Sequence, residues 1–301
     1  MHQRIELIAA HGEHKKKLGD FLFDRLTELS RMYIREVVNA GDCEVNGRLE
    51  NVGYRMRPND FVEIKVDVTR GTAMIPQPID LDIVFEDDHL MLVNKPEGML
   101  VHPTHRDRNG TLLNGLSHYL NSSRGDAPFI RPGLVHRLDK QTSGLMVVSK
   151  TAQAHRVLSD HLQRKMFKKL YVALVDGGVS DDAGTITDLI GRFAEEKRWG
   201  VKEDGKESET RYRVLERREN STLLELEPVT GRTNQLRIHC ASIGHPITGD
   251  TARSGRSFAR LCLHAAQLGF KHPASGHLLE FFSPIDFDKL GGTENRAMTI
   301  E

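Results

Sequence analysis

The order of the apolar runs constrains the fold of this chain more than anything else in it. Strand-like segments occur at 145–149, 169–175, 208–217, 222–227, 261–270 and 277–282, against helical segments at 111–120 and at 152–165, the latter capped by Thr151. Strands outnumber helices and do not alternate with them regularly, which fits a doubly wound sheet poorly. An α+β domain on a mixed, largely antiparallel sheet is predicted instead. Its opening is legible too: Ile79, Leu81, Ile83 and Phe85 alternate with polar neighbours, and Asp87-Asp88 turns the chain into a second short run, His89 to Val93. The spacing places this domain at 79–290, after a linker at 71–78 that holds two prolines and no period.

A smaller α/β module is predicted at 15–70. Leu18, Phe21, Leu22, Leu26 and Leu29 recur at helical spacing, and Ser30 caps a second helix that runs to about Ala40, with Gly41 as its stop signal. Asn46-Gly47 after a short apolar alternation marks a tight hairpin turn. Phe61, Ile64 and Val66 form a further short strand.

Composition limits the function. Lys and Arg total 42 and Asp and Glu total 42, so a nucleic-acid surface, if present, is local rather than global. Cys43, Cys240 and Cys262 are too sparse for a disulfide framework and point to a reducing compartment. The N-terminus has no apolar signal region, and no apolar run reaches membrane length, so a cytoplasmic protein with no membrane partner is expected, a monomer by default. Fifteen histidines raise the question of a metal, but there is no HExxH and no zinc-ligand spacing around Cys240 or Cys262; His239 and His245 need no metal. With no Walker A loop and no GxGxxG, the expectation is neither metal nor cofactor.

The chemistry concentrates in three places. In Arg131-Pro132-Gly133-Leu134-Val135-His136-Arg137-Leu138-Asp139-Lys140-Gln141-Thr142-Ser143-Gly144, a Pro-Gly turn leads into a dense polar loop, and an apolar strand follows at once. Active sites are usually mounted in this way. In Thr230-Gly231-Arg232-Thr233-Asn234-Gln235-Leu236-Arg237-Ile238-His239, a Gly turn precedes a helix ending near Gly244, for which Thr233 is the expected N-cap; a helix-borne Arg237 is suited to hold a carboxylate. Between Arg156 and Lys169, the cations Arg156, Arg164, Lys165, Lys168 and Lys169 face a single acid, Asp160, which suits phosphate contacts. On pattern alone, a turn cap is the favoured reading of Asp139 and a solvated face that of the basic stretch, while a solvated arginine remains open for Arg237.

Taken together these segments resemble the RluA-type pseudouridine synthases over residues 80–285. The resemblance rests on Asn94-Lys95-Pro96-Glu97-Gly98 with Val101-His102-Pro103, His136-Arg137-Leu138-Asp139 with Thr142-Ser143-Gly144-Leu145, Lys169-Leu170-Tyr171, the block from Gly231-Arg232-Thr233 to Asp250, and Leu263-His264-Ala265. Asn234 stands where many relatives carry His. The module at 15–70 resembles an S4-type RNA-binding domain through Ser30-Arg31 and Val45-Asn46-Gly47, although Asn59-Asp60 replaces a common Gly-Asp, and Leu18-Gly19-Asp20 a common Arg-Leu-Asp.

That resemblance implies isomerisation of uridine to pseudouridine in structured RNA, large-subunit ribosomal RNA first and transfer RNA second, without a cofactor. It puts the essential carboxylate on Asp139, either as nucleophile on the sugar or as base at its 2′ position, with Arg237 as its ion-pair partner. Arg137 would fill the space left by the flipped uridine, and Tyr171 would lie against the target base and serve in proton transfer from C5. Arg31, Arg35 and Arg48 in the module, and Arg164, Lys165 and Lys168 in the basic stretch, are the expected RNA contacts. A non-catalytic RNA-binding assembly factor would not need Asp139, Arg137, Tyr171 and Arg237 together, and a metal-dependent nuclease or deaminase lacks its ligand motifs.

Overall fold

A computed structural model describes residues 2–26, 29–67, 75–104, 106–125, 127 and 129–290. Residues 71–74 of the expected linker, and 68–70 at the end of the expected module, lie outside the described residues. The chain divides into two units: Met1–Asp80 with His102–Pro132, and Leu81–Val101 with Gly133–Glu301.

In the first unit, β1 (His2–Ile8), β2 (Cys43–Val45), β3 (Arg48–Leu49) and β4 (Phe61–Asp67) form an antiparallel sheet in the order β1-β4-β2-β3. Helices α1 (Leu18–Arg25) and α2 (Arg31–Asn39) complete its core, in which Phe21, Leu22, Ile34, Val38, Val62 and Ile64 are buried. Local signals decide most of this. Ser30 Oγ accepts the Tyr33 N–H at 3.1 Å, and α2 ends before Gly41 at φ +83°. Asn46 (φ +52°) and Gly47 (φ +73°) make the two-residue turn between β2 and β3. Strand β1 escapes the sequence pattern because only Ile5 and Leu7 of its seven side chains are even half-buried; it is held by its ladder with β4.

The same unit contains α3 (Leu112–Asn121), capped through Thr111, whose side chain accepts the Asn114 N–H. Residues 75–77 are pinned to this helix: Asn114 Nδ2 donates to the Ile75 carbonyl at 2.9 Å, and the Gln77 side chain accepts the Gly110 N–H at 2.7 Å.

The second unit is built on an eleven-stranded sheet. Its strands are β5 (Ile83–Glu86), β6 (Leu90–Lys95), β7 (Gly133–Leu134), β8 (Ser143–Ser149), β9 (Lys168–Asp176), β10 (Ala183–Phe193), β11 (Arg198–Val201), β12 (Lys206–Arg217), β13 (Ser221–Pro228), β14 (Leu263–Lys271) and β15 (Leu278–Phe282). The order is β11-β10-β12-β13-β9-β14-β8-β6-β5, with β15 paired to β14 and β7 to β8. Every pairing is antiparallel except β8 with β14, so the sheet is mixed and largely antiparallel, as the strand spacing predicts. Strands β10 and β11 are not anticipated by the sequence reading; β10 alternates exposed side chains with more buried ones, β11 is four residues long with none buried, and neither carries a continuous apolar run.

Helix α4 (Ala152–Gln163) starts at Thr151, whose Oγ1 accepts the Ala154 N–H at 3.1 Å, and α5 (Gln235–Ser242) lies against β10, β11, β12 and β13. The parallel seam beside β8 needs Gly144. Its φ is +119°, and a Cβ there would stand 2.4 Å from the Ala265 carbonyl oxygen. Among the described residues, no helix is long and apolar enough to cross a membrane.

Candidate active site

Asp139 sits on the loop between β7 and β8, and that loop is fastened from several directions. His136 Nε2 accepts the Val147 N–H of β8 at 3.1 Å, which leaves the imidazole neutral with its proton on Nδ1. Burial, and then the charge of Lys169, push its pKa down to about 4. Leu138 is buried, and the Asp139 carbonyl accepts the Thr142 N–H at 3.1 Å. From the turn after β6, Gly98 N–H donates to the Lys140 carbonyl at 2.9 Å. Lys95 is 1% exposed, and its Nζ donates to the carbonyls of Pro96 (2.7 Å), Met99 (2.9 Å) and Lys140 (3.2 Å). Burial lowers this ammonium to about 8. Lys95 therefore ties the Asp139 loop to the Pro96–Met99 turn, a role that its motif does not announce.

The sheet and α5 bring the remaining members to the same place. A cavity of about 790 Å³ is lined by Arg137, Asp139, Tyr171 and Arg237 together, the four residues that the resemblance singles out. Its volume lies within the range of small-molecule sites. Tyr171 stands on β9. Its phenol is held protonated, chiefly by burial and then by the nearby Asp139 carboxylate, and its hydroxyl has no hydrogen-bond partner among the described residues. Arg137 is exposed, with no ion pair among the described residues.

Two expectations at α5 are corrected. Thr233 does not cap the helix. Asn234 is the N-cap residue, in the left-handed region at φ +57°, and the start of α5 is held instead by Gln235. That amide accepts from Thr230 Oγ1 (2.8 Å) and the Arg232 N–H (2.9 Å), and donates to the Glu209 carbonyl (2.9 Å) and Thr210 Oγ1 (3.0 Å).

Nor is Arg237 the ion-pair partner of Asp139. Its Nε and Nη2 form a bidentate pair with the two oxygens of Asp250, both at 2.7 Å, and its Nη1 donates to Asn234 Oδ1 at 3.3 Å. Asp250 is 1% exposed, so a fully dehydrated carboxylate captures the guanidinium. Arg253, which the sequence reading does not single out, also approaches Asp250, at 3.5 Å.

The Asp139 carboxylate consequently has no hydrogen bond or ion pair of its own among the described residues. Burial raises its pKa above the usual carboxylate value, and the charges of Arg237, then Arg137, Arg253 and Lys95, offset that rise. The expectation of a pKa lowered by a contact ion pair is thus reversed, and the charges that favour the Asp139 anion act from beyond contact distance.

The expected RNA contacts differ from one another. Arg35 and Arg48 are exposed and without an ion pair among the described residues. Arg31 pairs with Asp20 at 2.6 Å and stacks over Phe23, 3.9 Å from the ring centre. Arg164 is paired with Asp160 at 3.0 Å, and Lys168 with Glu280 at 3.4 Å. Lys165 lines the cavity, in the left-handed region at φ +58°. Among the described residues, no cluster of three His, Cys, Asp or Glu side chains is placed to hold a metal.

The chain is similar to known proteins. A model of the family described as RNA pseudouridylate synthase matches residues 89–242. The chain is 38% identical to the uncharacterized RNA pseudouridine synthase YlyB of Bacillus subtilis (strain 168), over 97% of this chain and 98% of that one. It is 35% identical to the ribosomal large subunit pseudouridine synthase D of Escherichia coli (strain K12), over 96% of this chain and 93% of that one. Among solved structures it is similar to human RNA pseudouridylate synthase domain containing 1, with a TM-score of 0.58 and 27% identity over 72% of this chain and 86% of that one.

Proposed function

The chain belongs to the RluA-type RNA pseudouridine synthases and is therefore an isomerase acting on uridine in RNA; from that premise we propose that its substrate is large-subunit ribosomal RNA and that Asp139 carries the reaction. The observation that bears most weight is the single cavity in which Asp139, Tyr171, Arg137 and Arg237 meet. The ribosomal reading is supported by similarity over almost the whole length to a relative named for the large ribosomal subunit.

The reaction breaks the C1′–N1 bond, turns the uracil, and forms a C1′–C5 bond. The proton on C5 is lost and N1 ends with a proton, so product and substrate are isomers and no co-reactant is consumed. Asp139 must be ionised whether it attacks the sugar or takes the 2′ proton, and Arg237, Arg137, Arg253 and Lys95 supply the field that favours the anion. Tyr171, neutral in the free protein, offers an aromatic face and a hydroxyl to the uracil. Arg137, exposed at the mouth, is free to enter the space vacated by a flipped nucleotide. The module at 15–70 acts as an S4-type anchor, with Arg35 and Arg48 as its phosphate contacts.

Mapping pseudouridines in ribosomal and transfer RNA from cells with and without this gene tests the reading. Large-subunit sites should vanish in the deletion and return with the wild-type gene but not with Asp139→Asn. Loss confined to transfer RNA sites would reject the ribosomal substrate, and restoration by Asp139→Asn would reject the assignment of Asp139.

A further inference from the structure

Lys168 and Lys169 are adjacent on β9 and point to opposite sides of the sheet. Lys168 is exposed and paired with Glu280 at 3.4 Å. Lys169 shares the face of Tyr171, two residues on; it is half-buried and lines the active-site cavity. Among the described residues its ammonium has neither an ion pair nor a hydrogen bond, and burial lowers its pKa. Its neighbour His136 offers it no charge, because that ring is neutral and its Nε2 already accepts the Val147 N–H.

The other charges around the cavity do not supply an anion either. Six lining residues are cationic (Arg137, Lys165, Lys169, Arg211, Arg232 and Arg237) and only Asp139 and Glu227 are acidic. Glu227 is matched by Arg211 at 3.9 Å, and the cations that act most on Asp139 are Arg237, Arg137, Arg253 and Lys95 rather than Lys169. A partly dehydrated ammonium without a counter-ion is costly to keep, and a charged ligand relieves that cost better than a neutral base does. The flipped nucleotide brings one anion on each flank, its phosphodiesters.

We infer that Lys169 binds a phosphodiester flanking the uridine that enters the cavity, seating the nucleotide so that its base reaches Tyr171 and its sugar reaches Asp139. This rests on the reading of the cavity as a uridine site. It makes Lys169 a substrate-positioning residue of this pocket, distinct from the outward-facing Lys168.

The test uses full-length protein and an RNA stem-loop from large-subunit ribosomal RNA centred on a uridine that the wild type isomerises. In further copies of that RNA, each linkage flanking the uridine is replaced singly by an uncharged methylphosphonate. Lys169→Gln should raise KM about tenfold with kcat within about twofold, as expected for one charge-assisted contact made equally in ground and transition states. Its log Kd against log salt should be shallower by about 0.7–0.9. One methylphosphonate should cost the wild type a similar factor and cost Lys169→Gln nothing further, while Lys169→Arg should keep most of the affinity. An unchanged salt slope, or penalties of substitution and methylphosphonate that multiply for both linkages, would overturn the inference. Turnover of the unmodified RNA by wild type reports on the substrate reading alone, so failure of one is not mistaken for failure of the other.

Discussion

Replacing Asp250 by Asn separates two accounts of the charged centre. The side chain is 1% exposed and receives two 2.7 Å hydrogen bonds from Arg237, which is itself 9% exposed, and a longer one from Arg253 at 3.5 Å. The amide keeps the shape but removes the charge and one acceptor, so Arg237 retains only Asn234 Oδ1 at 3.3 Å as a further partner. Removing one member of a buried ion pair costs about 3–5 kcal/mol, because the survivor remains dehydrated. For a unit of roughly 200 residues, at about 2–4 °C per kcal/mol, the melting temperature should fall by about 6–20 °C.

Calorimetry of the purified protein measures this, and Asp139→Asn serves as the internal comparison. Burial raises the Asp139 pKa above its unfolded value, so the ionised form is disfavoured by folding, and the penalty is present at pH values above the folded pKa. At neutral pH, Asp139→Asn should therefore leave the melting temperature unchanged or raise it. A fall of less than about 1 kcal/mol for Asp250→Asn, together with a large fall for Asp139→Asn, would show that Arg237 pairs with Asp139 in solution. The account of Asp250 as its partner would then be wrong.

Three further outcomes follow from the same geometry. Arg253 is one of the charges that pull the Asp139 pKa down, so Arg253→Gln should raise that pKa; since catalysis needs the anion, the acid limb of kcat/KM should move to higher pH, and an unmoved limb would refute the coupling. Asn234→Gly keeps the left-handed backbone at φ +57° but deletes the acceptor for Arg237 Nη1, so kcat should fall while stability changes by no more than about 1 kcal/mol; Asn234→Ala adds about 1–2 kcal/mol of backbone strain, which a denaturant titration resolves. Gly144→Ala drives a Cβ to 2.4 Å from a β14 carbonyl and should cost upward of about 4 kcal/mol, read as loss of soluble protein or of the folded near-ultraviolet signal; a stable, active Gly144→Ala protein would contradict the seam described for β8 and β14.

The N-caps Ser30 and Thr151 and the Asn46-Gly47 turn follow from rules that act over a few residues, which is why the sequence locates them. The strands that carry the site were legible as apolar runs because both faces of β8 and much of β9 and β14 are buried. Strand β1 was not, since it is held by its ladder with β4 far along the chain, and the β10–β11 hairpin was not, since most of its side chains are exposed or only half-buried and form no apolar run.

The sequence by itself determined the α+β class, the family, and the four residues that meet in the cavity, because those rest on motifs whose residue types and order are local properties of the chain. Charge partnership was decided by tertiary structure alone. Arg237 belongs to Asp250, thirteen positions on, and the Asp139 loop hangs from Lys95, whose ammonium reaches a carbonyl forty-five positions away. Which carboxylate wins a guanidinium depends on which is more fully removed from water and better aimed, and burial and direction exist only once the chain has folded.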